Sequence, residues 1–128
     1  MRLLLDTHAL LWWHDNPKEL SPKALNAIQN EENEVFISVV NAWEIQIKSQ
    51  LNRLTLPRGL EEIFNIEMDD NAFSLLTVEL PHVYALKTLP LHHNDPFDRL
   101  LISQAKAEDL ILVSTDVAFK KYEVALLW

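Results

Sequence analysis

The sequence predicts an α/β protein, a three-layer α/β/α sandwich around a mostly parallel central sheet. Three observations carry this expectation. Short apolar runs alternate along the chain with longer stretches of helical periodicity. Those runs are continuously apolar, as strands covered on both faces are, rather than alternating apolar and polar. Two helix starts are also spelled out chemically: Ser21-Pro22 and Asp95-Pro96 each place a capping side chain before a proline at the first helical position. No repeat, linker or low-complexity tract interrupts the chain, so residues 1–128 are expected to form one domain.

Each element follows in order. Arg2–Leu5 is an apolar run ended by Asp6 and reads as a buried strand. His8–His14 is a short helix carrying Leu10, Leu11, Trp12 and Trp13. Ser21-Pro22 opens a helix to about Gln29, and Val35–Ser38, β-branched and aromatic, is a second strand. From Asn41 to Leu51, Ala42, Trp43, Ile45 and Ile47 mix with Glu44, Gln46 and Lys48 in a helix. After Pro57-Arg58-Gly59, Leu60–Met68 sets Leu60, Ile63, Phe64 and Glu67 at helical spacing. Ser74–Val78 is a third strand, and Pro81–Leu89 a helix closed by Pro90. Asp95-Pro96 opens the best-marked helix, running to about Glu108 with Phe97, Leu100, Leu101 and Ala105 toward the core. Ile111–Val113 is a fourth strand, Val117–Lys121 a short helix, and Val124–Leu127 an edge strand.

Composition narrows the chemistry. With 48% hydrophobic residues the chain can bury a core and is not disordered. It has no cysteine, which removes disulfides, thiolate metal sites and cysteine nucleophiles and fits a reducing cytoplasm. Gly59 is its only glycine, so neither a dinucleotide fingerprint nor a P-loop can be present. Met1–Asp6 meets a charge too early for a signal-peptide core, and no apolar run has membrane length. The net charge of −8 counts against broad phosphate neutralisation as a mode of nucleic-acid binding.

Ligands of open α/β sheets bind at the carboxyl ends of the strands. Asp6 follows the first strand directly, and Asp116 lies three residues past Val113 of the fourth. Glu44 sits in the early turns of the helix after the second strand, and Asp98 in the first turn of the helix leading to the fourth. Topology thus gathers four acids from four distant segments at one edge. Each also has a purely structural use. Asp6 can cap Thr7–Trp13, Asp116 can cap Val117–Lys121, Asp98 can balance the dipole of a helix capped by Asp95, and Glu44 can be a solvated helix residue. The apolar neighbours of Glu44 make that last use costly.

Crowded carboxylates repel and raise one another's pKa unless a cation intervenes, and no lysine or arginine adjoins Asp6 or Glu44 in the sequence. An all-oxygen donor set suits a hard ion, Mg²⁺ or Mn²⁺. Such an ion lowers the pKa of bound water and stabilises charge on a phosphate, which points to phosphodiester hydrolysis.

The segments Leu5-Asp6-Thr7-His8-Ala9-Leu10-Leu11-Trp12, Ser38-Val39-Val40-Asn41-Ala42-Trp43-Glu44-Ile45, His93-Asn94-Asp95-Pro96-Phe97-Asp98-Arg99-Leu100-Leu101 and Ser114-Thr115-Asp116 closely resemble a PIN domain, of the VapC-type toxin subgroup. The resemblance spans essentially the whole chain. It implies a metal-dependent endoribonuclease with Asp6, Glu44, Asp98 and Asp116 as the acidic quartet, all four holding the metal, and Thr115 as a supporting hydroxyl. It also implies a cognate antitoxin and a homodimer, and the cysteine-free composition suits a cytoplasmic setting. Asp95 is an acid position in such domains, yet before Pro96 it is first of all a cap. Arg99 can meet a phosphate or form a surface salt bridge. Lys48, Arg53, Arg58, His92 and His93 are further candidates for RNA contact, and His8 lies two residues from Asp6. Leu10–Trp13 cannot all face one core, since neighbours on a helix point about 100° apart, so part of that segment is expected to seek a partner.

Two other readings compete. A catalytically silent PIN fold would serve only as an interaction module. A receiver-type phosphoacceptor would need an acidic pair after the first strand and an aspartate after the third, whereas Asp6 stands alone and Val78-Glu79 occupies the second place. Under the nuclease reading the acidity implies RNA affinity that is local and metal-dependent, as suits single-stranded or looped RNA.

Overall fold

A computed structural model describes residues 1–128. Five parallel strands, β1 (Arg2–Leu5), β2 (Glu34–Ser38), β3 (Ser74–Leu76), β4 (Ile111–Val113) and β5 (Leu126–Leu127), lie in the order β3-β2-β1-β4-β5. The helices are α1 (Thr7–Asp15), α2 (Pro22–Gln29), α3 (Val39–Gln50), α4 (Leu60–Asp69), α5 (Leu80–Tyr84) and α6 (Pro96–Ala107).

Strand pleating sorts side chains onto the two faces of the sheet. Leu3, Leu5, Val35, Ile37 and Val113 enter a core shared with Ala9 and Leu10 of α1, Ala24 and Ile28 of α2, Ile45 of α3 and Ile63 of α4. Leu4 and Leu112 enter the other, against Leu101, Ile102 and Ala105 of α6 and Phe119. The three-layer sandwich follows, since neither sheet face can be left to water. Because both faces are covered, the strands carry no polar alternation.

Several elements depart locally from the sequence reading. The stretch 81–89 is not one helix: α5 ends at Tyr84 and a 3-10 turn, Ala85–Thr88, replaces its last part. Residues 117–121 likewise form a 3-10 turn. Helix α3 starts two residues early because Ser38 caps it. The Ser38 Oγ accepts from the Val40 amide at 3.0 Å while the Ser38 amide donates to Asn41 Oδ1 at 2.7 Å.

The Leu10–Trp13 segment is more covered than the sequence suggests. Leu10 is fully buried, and Leu11, Trp12 and Trp13 are half-buried against the first core. Trp12 packs on Trp128 and Trp13 on Phe73, so two directions off α1 are both covered. Glu67, fully buried on α4, gathers the Trp13 indole at 2.8 Å, His14 Nδ1 at 2.6 Å and the Asn71 amide at 2.6 Å. This cluster ties α1 to α4.

Candidate active site

The chain runs one way from β1 to β2 and the other way to β4, so the sheet order reverses between β1 and β4. At such a switch the connections leave toward opposite faces and open a crevice at the carboxyl edge. Leu5 pairs with Val113 there, and the Asp6 amide donates to the Val113 carbonyl at 3.1 Å. Asp6 and the residues after β4 therefore lie at the switch point. The order also differs from the 2-1-3-4-5 of receiver domains, which removes that alternative.

Asp6 is buried and caps α1, its Oδ1 accepting from the Ala9 amide at 2.8 Å. Burial pushes its carboxyl pKa up, with a smaller push from Glu44. Hydrogen bonds from Ser114 and Ala9 and the charge of His8 pull the other way. Glu44, also buried, accepts from the Thr7 hydroxyl at 2.6 Å. Asn41 Nδ2 supports Thr7 at 3.1 Å and reaches the Leu5 carbonyl at 3.3 Å, so α3 is stitched to the end of β1.

Asp98 lies in the first turn of α6, and its carboxyl is pushed up to about 8. Burial is the largest cause, followed by the charges of Asp95, Glu44, Asp116 and Asp6. Asp6, Glu44 and Asp116 thus all act on Asp98. Asp116 is exposed and caps the last 3-10 turn, with Oδ1 accepting from the Ala118 amide at 2.9 Å. Asp95 caps α6, its Oδ1 accepting from the amides of Phe97 at 2.9 Å and Asp98 at 3.0 Å.

A family model described as PIN domain matches residues 3–125. The chain is a PIN domain. Its fold is shared by solved structures of low sequence identity. VapBC2 from Rickettsia felis bound to a promoter DNA fragment superposes with a TM-score of 0.73 at 17% identity, covering 99% of this chain and 98% of that one. FitAcB from Neisseria gonorrhoeae gives 0.63 at 17%, covering 98% and 96%. VapBC-1 from nontypeable Haemophilus influenzae gives 0.57 at 14%, covering 99% and 97%. No curated protein matches the sequence significantly.

The remaining candidates of this PIN domain are placed unequally. Lys48 corrects the expectation that no cation serves the acids. It sits four residues after Glu44, one helical turn on, and its ammonium pairs with Glu44 Oε2. Glu44, Asp95 and Asp98 all raise the Lys48 pKa, although burial opposes them. Thr115 is exposed, and the buried hydroxyl is that of Ser114, whose Oγ accepts from the Asp116 amide at 3.0 Å. Sequence reasoning missed Ser114. The signal available was parity: Ser114 continues β4 beside Asp6, where an inward polar side chain has an acid to meet.

Arg99 is committed to the protein, donating to the carbonyls of Pro90 at 2.7 Å and Leu89 at 3.2 Å and to the Tyr122 hydroxyl at 3.2 Å. His92 packs edge-on against Tyr122, and Arg53 and Arg58 lie exposed between α3 and α4. Trp43, 54% exposed beside Glu44, meets Phe97 edge-on at 4.9 Å, an aromatic pair that the sequence reading did not single out.

No three histidine or acidic side chains close on one point as ion ligands. Each acid is engaged locally: Asp6 and Asp116 at their caps, Glu44 between Thr7 and Lys48, Asp98 beside His93. Chemically the donor set fits a divalent cation. It consists of carboxylate oxygens, and a cation relieves the repulsion that adds to burial in pushing Asp98 upward.

Proposed function

We propose that this PIN domain is a metal-dependent endoribonuclease acting on single-stranded or looped RNA, the toxin of a toxin–antitoxin pair. The observation that carries the reading is the convergence of Asp6, Glu44, Asp98 and Asp116 from four segments, close enough for three of them to perturb the fourth. These four would hold Mg²⁺ or Mn²⁺. When bound, the ion supplies a more acidic water and a counter-charge for the phosphate.

The chain's own residues do the rest. Thr7 and Asn41 fix the Glu44 carboxylate against the end of β1. Ser114 steadies Asp6 and orders the turn that carries Asp116. Lys48 places a positive charge among the acids, where it can meet a phosphate oxygen. The Trp43–Phe97 pair offers a stacking surface for an unpaired base, which suits single strands without a broad basic face.

A cognate antitoxin, a second copy of the chain and a cytoplasmic setting belong to the same reading. For the antitoxin the support is the likeness in fold to VapBC and FitAB structures; the second copy and the cytoplasmic setting rest on the sequence expectations above. No helix is long and apolar enough to cross a membrane.

Mn²⁺ titration by calorimetry with a single-stranded RNA cleavage assay tests the core of the proposal. Wild type should bind Mn²⁺ and cut, Asp6→Asn should lose the ion, and Asp116→Asn should lose cleavage while keeping its fold. Equal Mn²⁺ binding by wild type and Asp6→Asn refutes the quartet. Absence of binding in both, with no cleavage, leaves a silent PIN-fold interaction module.

A further inference from the structure

His93 stands between the candidate site and a buried phenol. Its side chain is about 20% exposed, walled by the rings of Phe119 and Tyr122. One ring nitrogen, Nδ1, is 2.7 Å from the Tyr122 hydroxyl, and the other, Nε2, is 3.3 Å from Asp98 Oδ2. The direction of these bonds follows from counting protons. The Tyr122 oxygen already accepts from the His93 amide at 3.3 Å and from Arg99 Nη1 at 3.2 Å. Both donors are always protonated, so the phenol oxygen's lone pairs are taken and its own hydrogen must find an acceptor. The acceptor within reach is His93 Nδ1. A neutral ring that accepts at Nδ1 carries its hydrogen on Nε2, and that hydrogen faces Asp98.

We propose that Tyr122 and Arg99 lock His93 as the Nε2–H tautomer, so that His93 is a positioning residue that anchors Asp98 Oδ2 and leaves Asp98 Oδ1 for a divalent cation. The inference rests on the metal-dependent reading above and adds to it the group that orients one ligand. Arg99 thereby acquires a use: it donates to the phenol oxygen and to the 89–90 carbonyls, tying the segment before His93 to α6. The arrangement is a carboxylate held from behind by a histidine whose tautomer a third group sets, the usual way an outer layer stiffens a metal ligand.

The test has two arms. In metal-free protein at mildly alkaline pH, nitrogen-resolved NMR of the histidine rings should show His93 protonated on Nε2. In Tyr122→Phe, which removes the donor to Nδ1, the Nδ1–H form should appear. Calorimetric Mn²⁺ affinity should fall about 10-fold in His93→Leu. It should return to within about 3-fold of wild type in His93→Gln, whose amide N–H reaches the Nε2 position. Thermal unfolding of each variant checks that the fold is kept, and Tyr122→Phe and His93→Gln decide the matter if His93→Leu does not fold. An Nδ1–H ring in the wild type overturns the proposal. So does wild-type Mn²⁺ affinity in His93→Leu, or loss in His93→Gln equal to that in His93→Leu. Asp98→Asn separates the two levels: if it binds Mn²⁺ as wild type does, the metal reading itself has failed and the role of His93 falls with it.

Discussion

Replacing Asp98 by Asn should stabilise the metal-free protein, and increasingly so as the pH rises. The folded-state carboxyl titrates at about 8 against an ordinary value of 3.8. Between those values the folded chain holds a proton that the unfolded chain has released. Stability then falls as pH climbs from about 4 to about 8, because the unfolded state binds fewer protons. Asn is neutral throughout, keeps the size of the protonated acid and still offers an oxygen to His93, so it lacks that slope.

A gap of about 4 units at 1.36 kcal/mol each sets a ceiling of roughly 6 kcal/mol. Solvent screening of a side chain 18% exposed, and its freedom to turn outward, reduce the expected gain to about 1–3 kcal/mol above pH 8. For a chain of this length that is a rise of about 5–10 °C in Tm. Circular dichroism melts in EDTA at pH 5, 7 and 9 should show wild type and Asp98→Asn converging at the acid end and separating at the alkaline end. Mn²⁺ should then raise the wild-type Tm and close the gap. A difference in Tm that is flat with pH, or a less stable Asn variant at pH 9, would refute the electrostatic account of the site.

Three further outcomes concern other parts of the molecule. Glu67→Ala should cost about 3 kcal/mol in urea unfolding, because it leaves the Trp13 indole, the His14 ring and the Asn71 amide without their buried partner, and any RNA cleavage should persist at temperatures where the variant is folded. Asn41→Leu removes the reciprocal cap of α3 and its bonds to Leu5 and Thr7; a loss of about 2 kcal/mol in the same assay is expected, together with weaker Mn²⁺ binding through a loosened Glu44. Trp43→Ala should weaken binding of a short single-stranded RNA by about 1–3 kcal/mol in a fluorescence titration, leaving Mn²⁺ affinity unchanged.

The sheet and its helices were legible because the signals were local. Continuous apolar runs such as Leu3-Leu4-Leu5 mark strands buried on both faces, and Ser21-Pro22 and Asp95-Pro96 mark helix starts. The carboxyl-edge position of Asp6 and Asp116 followed from topology. What could not be read were partners fixed only by three-dimensional neighbours. Ser114 and Thr115 are adjacent hydroxyls, and only the pleat decides that Ser114 turns inward. Arg99 reads as a surface cation until the 89–90 carbonyls and Tyr122 are brought beside it. Trp12 and Trp13 read as excess apolar surface until Trp128 and Phe73, distant in sequence, cover them. Lys48 is the exception, since a helical i,i+4 pair with Glu44 is visible in the sequence itself.

The net charge of −8 acquires a local meaning at this edge. Asp98 feels the other three acids and Asp95 there, and the neutralisation present in the chain is Lys48, the charge of His8 on Asp6 and the proton that Asp98 retains. A phosphodiester is itself an anion, so the carboxylates that repel one another also repel it. Lys48 alone cannot reverse that sum. Under the proposed reading, then, cation loading and RNA binding are one linked equilibrium: conditions that keep Asp98 protonated weaken both together. The aromatic contacts of Trp43 and Phe97 lie beside the acids and carry no charge. They are therefore where sequence preference can be tuned without disturbing the ion, and a change there should alter which RNA is bound before it alters how strongly the cation is held.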